Sequence, residues 1–251
     1  MKEKFKDMIF VKGGKYTPCF TDDEKEVYDL EVCRYLTTQK MWLEVMENNP
    51  SKFKGIYKPV DTVTWWQALE FCNKLSEKYN LKPVYDLSKK RMLMINQLGE
   101  EKASPDIADF KKTEGFRLPT EVEWEWFARG GEVAMQDGTF DYEYSGSNNL
   151  DEVAWYRRNS GKQTHDVGIK KPNQLGIYDC IGNVWEWCYD SDSEGYIDEK
   201  KSYIYNENTK NKRLKGSSWY SGSTSCLVKE RDSYDAMFGH GNYGFRIVRT
   251  I

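Results

Sequence analysis

The residues with the most reactive side chains are six cysteines (Cys19, Cys33, Cys72, Cys180, Cys188, Cys226) and two histidines (His165, His240). No two cysteines have the C-x-x-C spacing, and two isolated histidines do not complete a nitrogen–sulfur ligand set, so a zinc site has no footing. The cysteines read as separate buried thiols, because free cysteine behaves as a small hydrophobe. A disulfide in an exported protein is the other reading, and spacing does not choose its pairing. His240 lies in a Gly-flanked loop with nothing nearby in sequence to orient its ring, so it is not assigned as a base. No residue is assigned a catalytic role.

A different chemistry stands near the C-terminus. Segment 216–219 (GSSW) and segment 244–249 (GFRIVR) read as ordered β ends, with Phe245 and Ile247 alternating with the basic Arg246 and Arg249. Between them, 220–243 keeps neither a period of two nor one of 3.6 and is dominated by Ser, Gly, Tyr and Asp. Antibody loops use this composition, since Tyr brings rigid contact area and small residues bring adaptable hydrogen bonds. Candidate ligand contacts are Tyr220, Ser221, Ser223, Lys229, Arg231, Asp232, Tyr234, Asp235, Phe238, His240, Asn242 and Tyr243.

The elements that must hold such a segment are readable upstream. Gly13-Gly14 marks a turn, followed by strand-like stretches around Tyr16, Val27, Leu30 and Val32 and a charged loop at 22–25. A helix is expected over 38–47, with Met41, Trp42, Val45 and Met46 at helical spacing. Thr64 and Gln67 form a capping box ahead of a stripe of Trp65, Leu69, Cys72 and Leu75, with Glu70 and Lys74 paired on another face. Thr120 and Glu123 form another box, opening a helix that stops at Gly130-Gly131. From there to Gly182 the sequence reads as loop, and 86–112 reads as a charged surface insertion.

The 251 residues suffice for a sizeable core, and an aromatic content of 15% with nine Trp suits short strands and pinned loops better than long helical bundles. Lys+Arg 37 against Asp+Glu 40 leaves a net charge of -3, and nucleic acid is not expected as a partner. No stretch reads as a signal peptide or membrane span, so a membrane is expected only through an anchor outside this chain.

Segments 116–131 (FRLPTEVEWEWFARGG), 174–190 (QLGIYDCIGNVWEWCYD), 214–219 (LKGSSW) and 244–249 (GFRIVR) together resemble the sulfatase-modifying-factor family, the formylglycine-generating-enzyme-like branch of the C-type lectin fold. VKGGKY at 11–16 and PVDTVTWWQALEFCNKLS at 59–76 extend the resemblance over nearly the whole chain. It implies an α+β fold with short strands, two to three helices and long ordered loops. One domain over 1–251 is expected, with 216–249 as a C-terminal variable-region-like segment.

Members that make formylglycine resemble one another in carrying two cysteines, five residues apart, after the G-G-S-[WY] motif. Here Cys226 falls on the second position and Ser221 on the first, and a serine hydroxyl does not replace a thiolate as soft-metal ligand or redox partner. The iron-dependent branch needs several histidines that this chain lacks. In family members the G-N-x-W-E-W stretch often wraps calcium. By resemblance the ligands would be the Asp179 and Glu186 carboxylates with the Gly182 and Val184 carbonyls. The alternative is a tight turn pinned by Trp185 and Trp187 with no ion, and no cofactor is otherwise required.

The family also contains variable proteins of diversity-generating retroelements, whose mutated region ends a C-type lectin domain near a G-F-R motif. Asparagine codons mutated only at adenines reach every residue type in 220–243 except those at Lys229, Glu230 and Met237. The resemblance implies a non-enzymatic ligand-binding protein, exported or at the cell surface, that takes a protein or glycan ligand on a diversified surface held by Trp219, Trp185, Trp187 and Phe245. The alternatives are an oxidoreductase or accessory protein of the family and a calcium-stabilised interaction module.

Overall fold

The structure is a computed structural model that describes residues 5–87, 106–110, 113–192, 203–206 and 210–251. Most of the expected insertion at 86–112 lies outside these residues. Phe110, at its end, is 5% exposed and packs in the core against Tyr189.

Threonine caps set the helices. Thr38 starts α1 (Gln39–Leu43), Thr64 starts α2 (Trp65–Lys78) and Thr120 starts α3 (Glu121–Ala128), each with a reciprocal capping box. Helix α2 buries the expected stripe of Trp65, Leu69, Cys72 and Leu75 together with Phe71, while Glu70 and Lys74 pair at 3.0 Å on its outer face. Helix α1 is shorter than the 38–47 pattern suggested.

The expectation of two to three helices is wrong, for the described residues contain five. Helix α4 (Gly131–Asp137) starts directly from the Gly130-Gly131 pair that ends α3, and α5 (Leu150–Val153) is one turn capped by Asn149. The left-handed Gly130 (φ 92°) turns the chain into a new helix where the sequence reading saw only a stop. Four residues are too few for α5 to show a 3.6 period.

The strands are short. β1 (Met8–Val11), β4 (Leu30–Cys33) and β11 (Val248–Thr250) form a three-stranded sheet in the order β1-β4-β11, which ties the C-terminus to the N-terminal region. β2 (Gly14–Tyr16) pairs with β3 (Lys25–Val27) across the expected charged loop. β5 (Asp106–Asp109) pairs with β7 (Tyr203–Asn206). The second main sheet runs β10-β6-β8-β9, from β10 (Tyr243–Gly244), β6 (Trp185–Ser191), β8 (Asn211–Lys215) and β9 (Arg231–Asp235). It is mixed, since β10 pairs with β6 in parallel and the other neighbours are antiparallel.

Two apolar clusters fill the interior. One gathers Trp42, Trp65, Phe71, Trp187 and Phe245, and the other Trp124, Trp126, Phe127, Val32 and Ile181. The motifs around β6 and after β8 meet where Gly182 N donates to Gly216 O at 2.7 Å. Both glycines have positive φ, and a Cβ would lie 2.4 Å from Trp155 O at Gly182 and 2.5 Å from Cys180 O at Gly216. Only glycine fits either position, which explains why both motifs carry one.

Candidate ligand-binding surface

The segment 220–243 starts from a buried anchor. Trp219 donates from its indole to Gly241 O at 2.8 Å, and its backbone N–H donates to Asn183 O at 2.8 Å, so one side chain holds both ends of the segment. Trp187 donates to Val63 O at 3.0 Å and packs against Tyr243. Trp185 pairs with Tyr243 through β10, and Phe245 packs on Trp42 and Phe71. All four expected anchors are buried beneath the segment.

On this base stand exposed side chains. Tyr220 is 57% exposed, Phe238 58% and Tyr234 45%, an amount of open aromatic surface that the core does not use. Ser223, Lys229, Asp232 and His240 are exposed as well. Ring contacts run from Tyr234 to Tyr243 (5.3 Å) to His240 (5.6 Å), and at the other end Trp219 meets Tyr220 (5.4 Å). The indole bond to Gly241, next to His240, joins the two halves into one surface.

Not every candidate belongs to it. Asp235, Asn242 and Tyr243 are buried. Asp235 accepts from Met237 N at 2.9 Å and pairs with Lys210, while Asn242 bonds His240 and Ser218, so both shape the turn. Ser221 is half-buried and accepts from Ser218 N at 3.0 Å. β9 alternation sends Arg231 to the opposite face, where its guanidinium holds Glu121 at 2.6 and 2.9 Å and stacks over Phe20 at 4.2 Å. The Lys229 backbone also meets that side, its carbonyl accepting from the Cys19 thiol, while its side chain is exposed.

Three neighbours outside the segment went unnoticed in the sequence. Lys52 lies over Phe53 and Trp219, at 5.2 and 6.0 Å. Arg157 lies over Tyr220 at 4.9 Å and donates to Tyr220 O at 3.1 Å. Phe53 meets Trp219 edge to face at 5.2 Å. Their signal was present, because 50–58 and 157–163 each carry three cations and no carboxylate.

The thiols are inert in their settings. All six cysteines are free, five of them buried and Cys19 exposed. Burial pushes the Cys226 pKa up, and its thiol donates to Gly222 O at 3.2 Å. Cys19 is raised to about 12, by desolvation against the opposing Lys215 charge, and its thiol donates to Glu125. Neither is a thiolate near neutral pH. His165 is structural, stacked on Trp155 at 3.8 Å and bonded to Ser160 O.

Both resemblance-derived carboxylates already have protein partners. Arg246 grips Glu186 through both carboxylate oxygens, at 3.0 and 3.1 Å, with both residues fully buried. Asp179 accepts from Gly168 N at 2.7 Å and keeps one buried oxygen without a partner. Among the described residues no three His, Cys, Asp or Glu side chains gather around a metal position. In this arrangement the Arg246 guanidinium occupies both Glu186 oxygens, while Asp179 keeps one oxygen open.

The chain is similar to the chaperone protein LppX of Paenibacillus barcinonensis, 35% identical across 97% of this chain and 89% of that protein. It is similar in structure to Treponema denticola variable protein 1, with a TM-score of 0.76 and 32% identity across 97% of this chain and 95% of that one. The formylglycine-generating enzyme of Streptomyces coelicolor is 31% identical, over 56% of this chain and 49% of the enzyme. The sequence model of the sulfatase-modifying factor enzyme 1-like domain matches residues 1–251, and the chain belongs to that family.

Proposed function

We propose that this protein is a non-enzymatic ligand-binding member of its family, exported or displayed at a cell surface, whose exposed side chains in 220–243 vary through a diversity-generating retroelement. The observation that carries the reading is the division within that segment. Buried Trp219, Asn242 and Tyr243 fix the backbone, while Tyr220, Asp232, Tyr234, Phe238 and His240 are exposed and outside the core. End-to-end likeness to a variable protein supports it, as does Ser221 at the position where the thiol enzymes carry cysteine.

Sequencing the DNA that flanks the gene tests the diversification. A repeat of the segment coding for 216–249 that differs only at adenines, beside a reverse transcriptase, is the expected result. Absence of both removes that part of the proposal.

A second reading is favoured by the 35% identity to a chaperone protein over nearly the full length of both chains. The surface would then serve one fixed client protein. That reading predicts a client whose refolding yield rises with this protein present, and falls again when Tyr220 and Tyr234 are replaced by serine.

A further inference from the structure

Beside the segment lies a cationic rim made from other parts of the chain, and building on the proposed binding role we infer that it selects an acidic protein segment. Residues 50–58 contribute Lys52, Lys54 and Lys58, and residues 157–163 contribute Arg157, Arg158 and Lys162, with no carboxylate in either stretch. The two stretches touch where Lys58 donates to Gln163 at 3.2 Å. Both also reach the segment. The Lys52 stem covers Gly241, where a Cβ would stand 2.8 Å from its Cδ, and Arg157 N donates to Ser221 O at 3.0 Å.

Among the described residues, the salt bridges involve none of these six cations. The nearest acids in sequence form no ion pair with them, Glu152 being paired with Lys171 at 3.2 Å and Asp151 accepting from Tyr156 at 2.9 Å. Asp61 is fully buried and occupied by the backbone N–H groups of Lys52 and Phe53, and Asp166 lines a cavity with Tyr35 and Met41. A chain of net charge -3 thus presents a local concentration of unpaired positive charge at the border of its binding surface. Such a patch sets partner choice and speeds encounter with an opposite charge.

The aromatic rings decide which anion fits. A glycan or a nucleic-acid base would stack on an open ring face. Here Arg157 covers Tyr220, and Lys52 and Lys58 stand over Phe53 at 5.2 and 6.0 Å. At this rim the cations lie over the rings of Phe53 and Tyr220, leaving charged donors rather than bare ring faces at the border. Flexible Asp and Glu side chains reach such donors without needing a stacking platform.

The test measures binding of fluorescent poly-L-glutamate, heparin and oligothymidylate at about 50 mM and about 300 mM NaCl, where screening separates charge from other contacts. The expected result is salt-sensitive poly-L-glutamate binding, tighter than either other polymer and weakened about tenfold or more in Lys52→Glu/Arg157→Glu. That variant should melt as the parent does, because both residues are exposed. Replacing Tyr234 and Phe238 by serine should change poly-L-glutamate binding by no more than about threefold, which separates the rim from the variable side chains. No binding at low salt, tighter binding of heparin or oligothymidylate, or an unchanged affinity in the charge-reversed variant would overturn the inference. None of these results would bear on whether 220–243 tolerates variation.

Discussion

Asp190 and Asp179 feel burial most directly. Desolvation and the neighbouring Glu121 charge raise Asp190 to about 7, and desolvation raises Asp179 to about 6, although each accepts a backbone hydrogen bond. The folded state therefore holds protons that the unfolded chain has released, and these groups make stability fall as pH rises from about 4 to about 7. The loss is complete above that window. We predict that Asp190→Asn flattens the fall in melting temperature between pH 5 and pH 8, since asparagine still accepts from Glu121 N without a charge. Glu186 and Arg246 make the opposite case, a buried pair whose breaking strands a charge. Arg246→Leu should destabilise the fold by about 3–5 kcal/mol in chemical denaturation. Because Arg246 occupies the Glu186 carboxylate, chelation by EGTA should leave the melting temperature unchanged, and a drop would return an ion to this turn. Sequence periodicity placed Arg246 among alternating basic residues, with no hint that its partner lay sixty positions away. Long-range pairing of this kind leaves no local pattern.

At the scale of elements, two of the three threonine capping boxes were legible, those at Thr64 and Thr120, because their chemistry lies within four residues; the Thr38 box closes on Met41, which carries no such signature. Thr64→Ala removes the acceptor for Gln67 N at 3.1 Å and should cost about 1 kcal/mol, measured by urea unfolding. Helices α4 and α5 escaped notice for want of length and of a polar stop between α3 and α4. The four-stranded sheet was hidden too, since its register passes from β6 to the far-off β8 and β10. β9 split the candidate contacts between two faces. The reading from composition had no strand there, so it placed Arg231 on the same side as Asp232 and Tyr234.

Across the whole molecule, the motifs held by glycines and tryptophans were enough to identify the fold family, because those residues are demanded by close backbone approach and by the core. The recognition surface was only half legible. Its variable-looking half is one continuous segment, whereas the rim of Lys52, Phe53 and Arg157 becomes a neighbour only after folding. The central claim is that a rigid scaffold carries an interchangeable surface. Randomising Tyr220, Ser223, Asp232, Tyr234, Phe238 and His240 together in a cell-displayed library, then sorting for folded display and for binding to a chosen protein target, tests it most directly. The account predicts that most clones display at the parent's level and that target-specific binders emerge with an unchanged fold. Collapse of display across the library would contradict it and return the segment to the core.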